Sequence, residues 1–125
     1  MPPLAAAQRD DRGQAVVELA LALPLLALLL LALVQLVVVV RDQLAVVHAA
    51  REGARAAAIS GAPGGDGEAA ARQATSLTPL EVSVARVGDM ARVSVRYRNS
   101  TDVPLIGAVL PDIVVQSTAT MRREP

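Results

Sequence analysis

The amino-acid sequence predicts a membrane-anchored α+β fold. A long amino-terminal transmembrane helix continues into a soluble half, and that half packs on a small antiparallel sheet of about three strands. Three observations predict it. Leu19–Val40 is an apolar run without one ionisable side chain, helical spacing then persists to about Ile59, and beyond Pro79 the period shortens from helical to alternating.

The apolar run comes first. As a helix, Leu19–Val40 is about 33 Å long at about 1.5 Å per residue, against a hydrocarbon core of about 30 Å. The rest of the chain is too small to bury such a helix as a core. The run also exceeds the apolar stretch of a secretory signal, and RDQLAVVHAAREGA follows it as more helix instead of a small-residue cleavage site. Pro24 lies inside it, where a local kink is expected and tolerated. Residues 1–13, MPPLAAAQRDDRG, form a short leader with Arg9 and Arg12, and 14–40 form the transmembrane helix. Charge does not orient the span, because Arg41, Arg51 and Arg55 balance the leader from the other side.

Residues 41–59 read as the helix extended beyond the membrane. At 100° per residue, Val46, Ala50, Gly53, Ala54 and Ala57 share one side, and Arg41, His48, Glu52 and Arg55 share the other. The first side is small rather than greasy, so it allows another element to approach closely. Residues 60–79 are a linker with a short helix: SGAPGGDG stops the long helix with glycines and a proline, and Glu68–Ala74 resumes helical composition. Residues 80–125 are the small β domain. Val82 and Val84 alternate with Glu81, Ser83 and Ala85, and Ala91, Val93, Val95 and Tyr97 alternate with Arg92, Ser94, Arg96 and Arg98. Gly88-Asp89 between them suits a two-residue type II′ turn. A third strand, Ile113 to Met121, gathers Ile113, Val115, Ser117, Ala119 and Met121 on one face. The connection NSTDVPLIGAVLPD before it is too short to cross a bilayer and is expected to pack on the head or rest at the membrane surface.

Composition narrows the function. The chain has 125 residues, 53% hydrophobic but only 1% aromatic, and a formal net charge of zero. Nucleic-acid binding is disfavoured, since it relies on excess cations and stacking aromatics. The absence of cysteine excludes thiol catalysis, disulfides and thiolate metal sites. A single histidine, His48, cannot build a metal cluster, and with Glu52 one turn away it reads as a surface pair. GAPGGDG has the glycines of a phosphate loop without its Lys-Ser/Thr. Arg92, Arg96 and Arg98 make a basic stripe that reads as a solvated face. No catalytic, cofactor or metal site is predicted, and neither is a small-molecule substrate. Glu18 is the exception to this blandness: a carboxylate a few residues inside the apolar segment is a functional hypothesis in itself.

Two blocks then carry a resemblance. RGQAVVELALALPLL (Arg12 to Leu26) and HAAREGAR (His48 to Arg55) resemble the TadE-like proteins, minor pseudopilins of the tight-adherence (Tad/Flp) pilus system, and STATMR (Ser117 to Arg122) with Glu124-Pro125 is similar to that family's closing strand. The resemblance implies a pilin-like head and cleavage by a membrane-embedded prepilin peptidase after Gly13. Gln14 then becomes the new amino terminus and Glu18 the fifth mature residue. It implies a cytoplasmic amino end, an extracytoplasmic carboxy-terminal domain, and as partners the lipid bilayer, other pilin or pseudopilin subunits and Tad assembly proteins. Ala50, Arg51, Glu52, Gly53, Ala54, Arg55 and Ala57 would form the family motif and helix-packing surface. Leu19 departs from the pattern, since many relatives carry Phe or Tyr there.

Overall fold

The computed structural model describes residues 7–60, 65–100 and 111–123, with side chains from residue 13 onward. Its elements run α1 (Ala7–Ile59), α2 (Gly65–Gln73), β1 (Leu80–Val87), β2 (Met90–Asn99) and β3 (Ile113–Arg122). This is the expected α+β plan: a long apolar helix, then a short helix and a three-stranded antiparallel sheet. The apolar connection before β3 lies largely outside the described residues, as do the first residues of the leader and Glu124-Pro125.

The chain divides into two units, Met1–Val37 and Val38–Pro125. In the first, α1 runs through Pro24 as continuous helix, and no described residue is buried. Its leucines and valines stand open, Leu21 at 71% and Leu25 at 69% exposure. Exposure on that scale suits a solvent of lipid rather than water. The helix passes the length and composition test for a membrane span, with a mean hydropathy of 3.0 in its most apolar window. A single-pass membrane protein follows.

The second unit has its own core, built from small side chains. Val46, Ala49, Ala50, Ala54, Ala57 and Ala58 of α1 are buried together with Ala71, Leu80, Ala91, Val93, Val95 and Val115. The largest fully buried side chains are only valines, Val46, Val93 and Val95. The expected small face of the helix extension is therefore its buried face. Arg41, His48 and Arg55 on the opposite side are exposed, and Glu52 is half-buried. His48 and Glu52 share that side without a hydrogen bond between them, so spacing brought them near but formed no pair.

The sheet order is β1-β2-β3. Register places Val84 opposite Val93 and Val82 opposite Val95 in one ladder, and Ala119 opposite Val93 and Val115 opposite Tyr97 in the other. Alternation then sends these residues to the core and Glu81, Ser83, Arg92, Ser94, Arg96 and Arg98 outward. The hairpin closes through Gly88, whose φ of +60° is the left-handed first position that a type II′ turn demands.

One boundary differs from expectation. The short helix starts at Gly65, not Glu68, so part of the glycine-rich stretch is helical. Asp66 and Glu68 in its first turn favour this through the positive end of the helix dipole. Its glycines are tolerated because one of them is needed. A Cβ on Gly53 would lie 2.8 Å from the Gly67 carbonyl oxygen and 3.0 Å from both Ala71 Cβ and Val93 Cγ1. A Cβ on Gly67 would lie 2.9 Å from Ala57 Cβ and 3.0 Å from the Gly53 carbonyl oxygen. Backbone meets backbone at this crossing, leaving no flexible side chain to yield.

Gly67→Ala is therefore expected to destabilise the unit by about 1–3 kcal/mol through overpacking, despite alanine's better helix propensity. Gly65→Ala, with open space around its Cβ, should be neutral or stabilising by up to about 1 kcal/mol. Thermal unfolding of the full chain in detergent, followed by circular dichroism, separates the two. Equal midpoints would dismiss the tight crossing.

Candidate processing site and packing surface

Gly13, Gln14 and Glu18 all lie on α1 within the first unit, Gly13 and Gln14 adjacent and Glu18 just over one helical turn further on. Gly13 is exposed, and a Cβ built on it meets nothing within 4 Å. No packing within this unit requires a glycine there. Gln14 Nε2 donates to Glu18 Oε1 at 3.3 Å, an i,i+4 contact along the helix. Glu18 itself is exposed, with apolar neighbours Val16, Val17 and Leu19 equally open.

The second block, Ala50 to Ala57, splits into two halves by helical angle. Ala50, Gly53, Ala54 and Ala57 are buried in the core, and Gly53 makes the crossing with Gly67. Arg51 and Arg55 are exposed and stand one turn apart, with Glu52 half-buried between them. The packing half of the motif is accounted for by the fold of the unit. The arginine half faces outward.

Sequence reasoning missed three polar contacts that hold the helices to the sheet. Asp42 is buried to 6% exposure, and Asn99 Nδ2 donates to its Oδ2 at 2.8 Å. Gln43 Nε2 donates to the Gln116 carbonyl oxygen at 3.2 Å. Arg72 Nη1 donates to the Leu80 carbonyl oxygen at 2.8 Å, while its Nε and Nη2 hold Glu68 Oε1 at 3.1 and 2.9 Å. The partners lie 57, 73 and 8 residues apart, and the two long separations carry no local sequence signal. The Glu68–Arg72 pair has local i,i+4 spacing, while the carbonyl that Arg72 also reaches lies beyond the end of α2.

The outward face of the sheet is mostly polar, with Ala85, Val87, Met90 and Val114 as its exposed apolar members. Arg96 Nη2 donates to Gln116 Oε1 at 3.3 Å, and Ser94 and Thr118 share a hydroxyl hydrogen bond at 3.0 Å. The basic stripe is there as read, with Arg92, Arg96 and Arg98 all exposed. Among the described residues no group of His, Asp and Glu has metal-ligand spacing.

A long apolar helix followed by a small α+β unit defines a single-pass membrane protein. Comparison with protein-family models identifies the segment: residues 13–55 match the TadE-like protein family. The match begins at Gly13 and ends at Arg55, so it takes in Glu18 and the AREGAR block, while the carboxy-terminal strand lies outside it. Comparison with curated proteins and with solved structures found no match.

Asn99→Leu should expose the importance of the Asp42 contact. It leaves a buried carboxylate without its donor, at an expected cost of about 1–3 kcal/mol. Paired with Asp42→Leu, the double variant should recover part of that loss, because the unsatisfied group is gone. Denaturant unfolding of the four proteins as a double-mutant cycle measures the coupling. Additive losses would mean the two side chains act independently.

Proposed function

We propose that this chain is a minor pseudopilin, which takes part in assembling a Tad/Flp-type pilus or related secretion apparatus after a prepilin peptidase cuts between Gly13 and Gln14. The observation that carries this reading is the family match over residues 13–55, which joins a glycine, a glutamate five residues on and a membrane span to the AREGAR block. The amino end is cytoplasmic and the β domain extracytoplasmic, as pilin-like processing requires. Cleavage removes Arg9 and Arg12, leaving Glu18 as the first charged side chain of the mature protein.

Physical chemistry supplies a role for Glu18. In the uncut chain its carboxylate accepts a hydrogen bond from the Gln14 side chain. After cleavage Gln14 carries a free ammonium group. In a bundle of apolar helices, that ammonium on one subunit and Glu18 on its neighbour neutralise one another, and removing one partner leaves a buried charge at a cost of about 3–5 kcal/mol. The pairing therefore selects processed subunits over unprocessed ones. Arg51 and Arg55, exposed on the head, offer a contact for acidic groups of other pilin or assembly subunits.

The mature amino terminus tests the reading. Intact-mass measurement of membrane-purified protein, from a strain with an active prepilin peptidase, should give a chain that starts at Gln14, and Gly13→Leu should abolish the cut. A chain that keeps residues 1–13 would instead make this an unprocessed membrane anchor with a protein-binding head. Glu18→Gln should permit cleavage yet reduce assembly. Intact assembly in that variant would remove the ion pair from the account.

A further inference from the structure

We propose that the outward face of the sheet binds a carboxylated polysaccharide, an extended uronate polymer held by the arginines of β2 and by the hydroxyl and amide groups beside them.

The face is one-sided in its charge. By alternation the three strands send Arg92, Arg96, Arg98 and Arg122 outward against one carboxylate, Glu81. The whole chain is neutral, so this is a local excess. Arg96 and Arg98 stand about 7 Å apart on the central strand, and Arg92 lies on the same line two steps away.

Strand pairing does not neutralise these charges. Opposite charges that face one another across an antiparallel pair stabilise it. Arg92 instead faces Ala85 and Thr120, Arg98 faces Val114, and Arg122 faces Met90. Arg96 does face Glu81, yet no ion pair joins them, and its Nη2 donates to Gln116 Oε1 at 3.3 Å. Among the described residues, Arg92, Arg98 and Arg122 make no hydrogen bond or ion pair.

A trough of about 550 Å³ opens at the middle of the face, lined by Glu81, Ser83, Ser94, Arg96, Gln116 and Thr118. The larger apolar members of the face, Val87, Met90 and Val114, stand at its two ends. This arrangement selects the occupant. A protein partner calls for an apolar centre, and here the centre is made of hydroxyl groups. A nucleic acid calls for stacking aromatics, but the chain's one aromatic side chain, Tyr97, is half-buried on the other face. A neutral sugar would leave the guanidinium groups unused. A carboxylated polysaccharide uses both kinds of group. Its carboxylates accept the forked donors of arginine, and its hydroxyl groups exchange hydrogen bonds with Ser94, Thr118 and Gln116. Glu81 accepts from a sugar hydroxyl.

The test is a titration calorimetry series on the full chain in nanodiscs of zwitterionic lipid. Oligogalacturonate should bind with an affinity that falls as salt rises, and a neutral malto-oligosaccharide of equal length should not bind. Polyglutamate of equal charge should bind about threefold more weakly or worse, since it lacks the hydroxyl groups. Arg92→Gln, Arg96→Gln and Arg98→Gln together should weaken oligogalacturonate binding about tenfold, the loss expected for three exposed charge pairs. Arg51→Gln with Arg55→Gln, on the exposed side of α1, should change it by less than about twofold. Thr118→Val should weaken binding of the sugar polymer about threefold and leave that of polyglutamate unchanged. All these side chains are exposed, so circular dichroism of each variant should match that of the parent. No saturable binding of oligogalacturonate, polyglutamate binding as tight or tighter, or an equal loss from the α1 pair would each overturn the proposal. Equal losses for both polymers in Thr118→Val would overturn it as well, and so would a triple variant that unfolds, because its arginines would then serve the fold. The face lies within the second unit, so none of these results depends on cleavage at Gly13.

Discussion

The backbone of α1 meets the backbone of α2 at Gly53 and Gly67, and the packing of the second unit depends on that approach. A chain with 1% aromatic residues cannot fill a core with large side chains, and here the largest fully buried ones are valines. Volume must instead be taken up by bringing elements closer together. Alanines at 49, 50, 54, 57 and 58 let α1 lie low over the sheet, and the two glycines take the crossing to its limit. Dispersion falls steeply with separation, so small residues at contact distance recover what larger ones would have supplied. The consequence is intolerance. With backbone oxygen 2.8 Å from where a Cβ would be, a single methyl has nowhere to go.

Polar contacts then fix what the small core leaves underdetermined. Apolar burial alone constrains sliding between a smooth alanine face and a valine sheet only weakly. Asp42 with Asn99 and Gln43 with the Gln116 carbonyl tie one end of the helix extension to the ends of β2 and β3. Arg72 ties α2 to the start of β1 while bound to Glu68. Each bond is directional where the core is not. Two of the three also end on outward carbonyls of edge strands, so the helices both cover the sheet and begin to close its edges.

Much of the fold was legible because it follows from local periodicity. The apolar run, the helix extension with its buried face at Val46, Ala50, Gly53, Ala54 and Ala57, the three strands and the Gly88 turn all announce themselves within a few residues. Legibility ended where a residue's reason lies far along the chain. Gly65 and Gly67 read as linker because glycine is a poor helix former, and only the approach of Gly53 explains why one is retained inside α2. Asp42 gave no sign that it would be buried, since its donor is 57 residues away. His48 and Glu52 show the converse: helical spacing made them neighbours, but no hydrogen bond formed.

The same comparison separates the two blocks of the family motif. In AREGAR the small residues are explained by folding, for Gly53 and Ala54 are buried and changing them disturbs the core of this chain. Gly13 and Glu18 are different. Nothing within 4 Å of Gly13 forbids a side chain, and Glu18 stands exposed among open valines and leucines with only Gln14 for a neighbour. A carboxylate at the start of an apolar helix stabilises neither the span nor the unit around it. The described contacts of this chain therefore supply no reason for either residue, and the proposed processing at Gly13 and charge pairing of Glu18 would supply one from outside it.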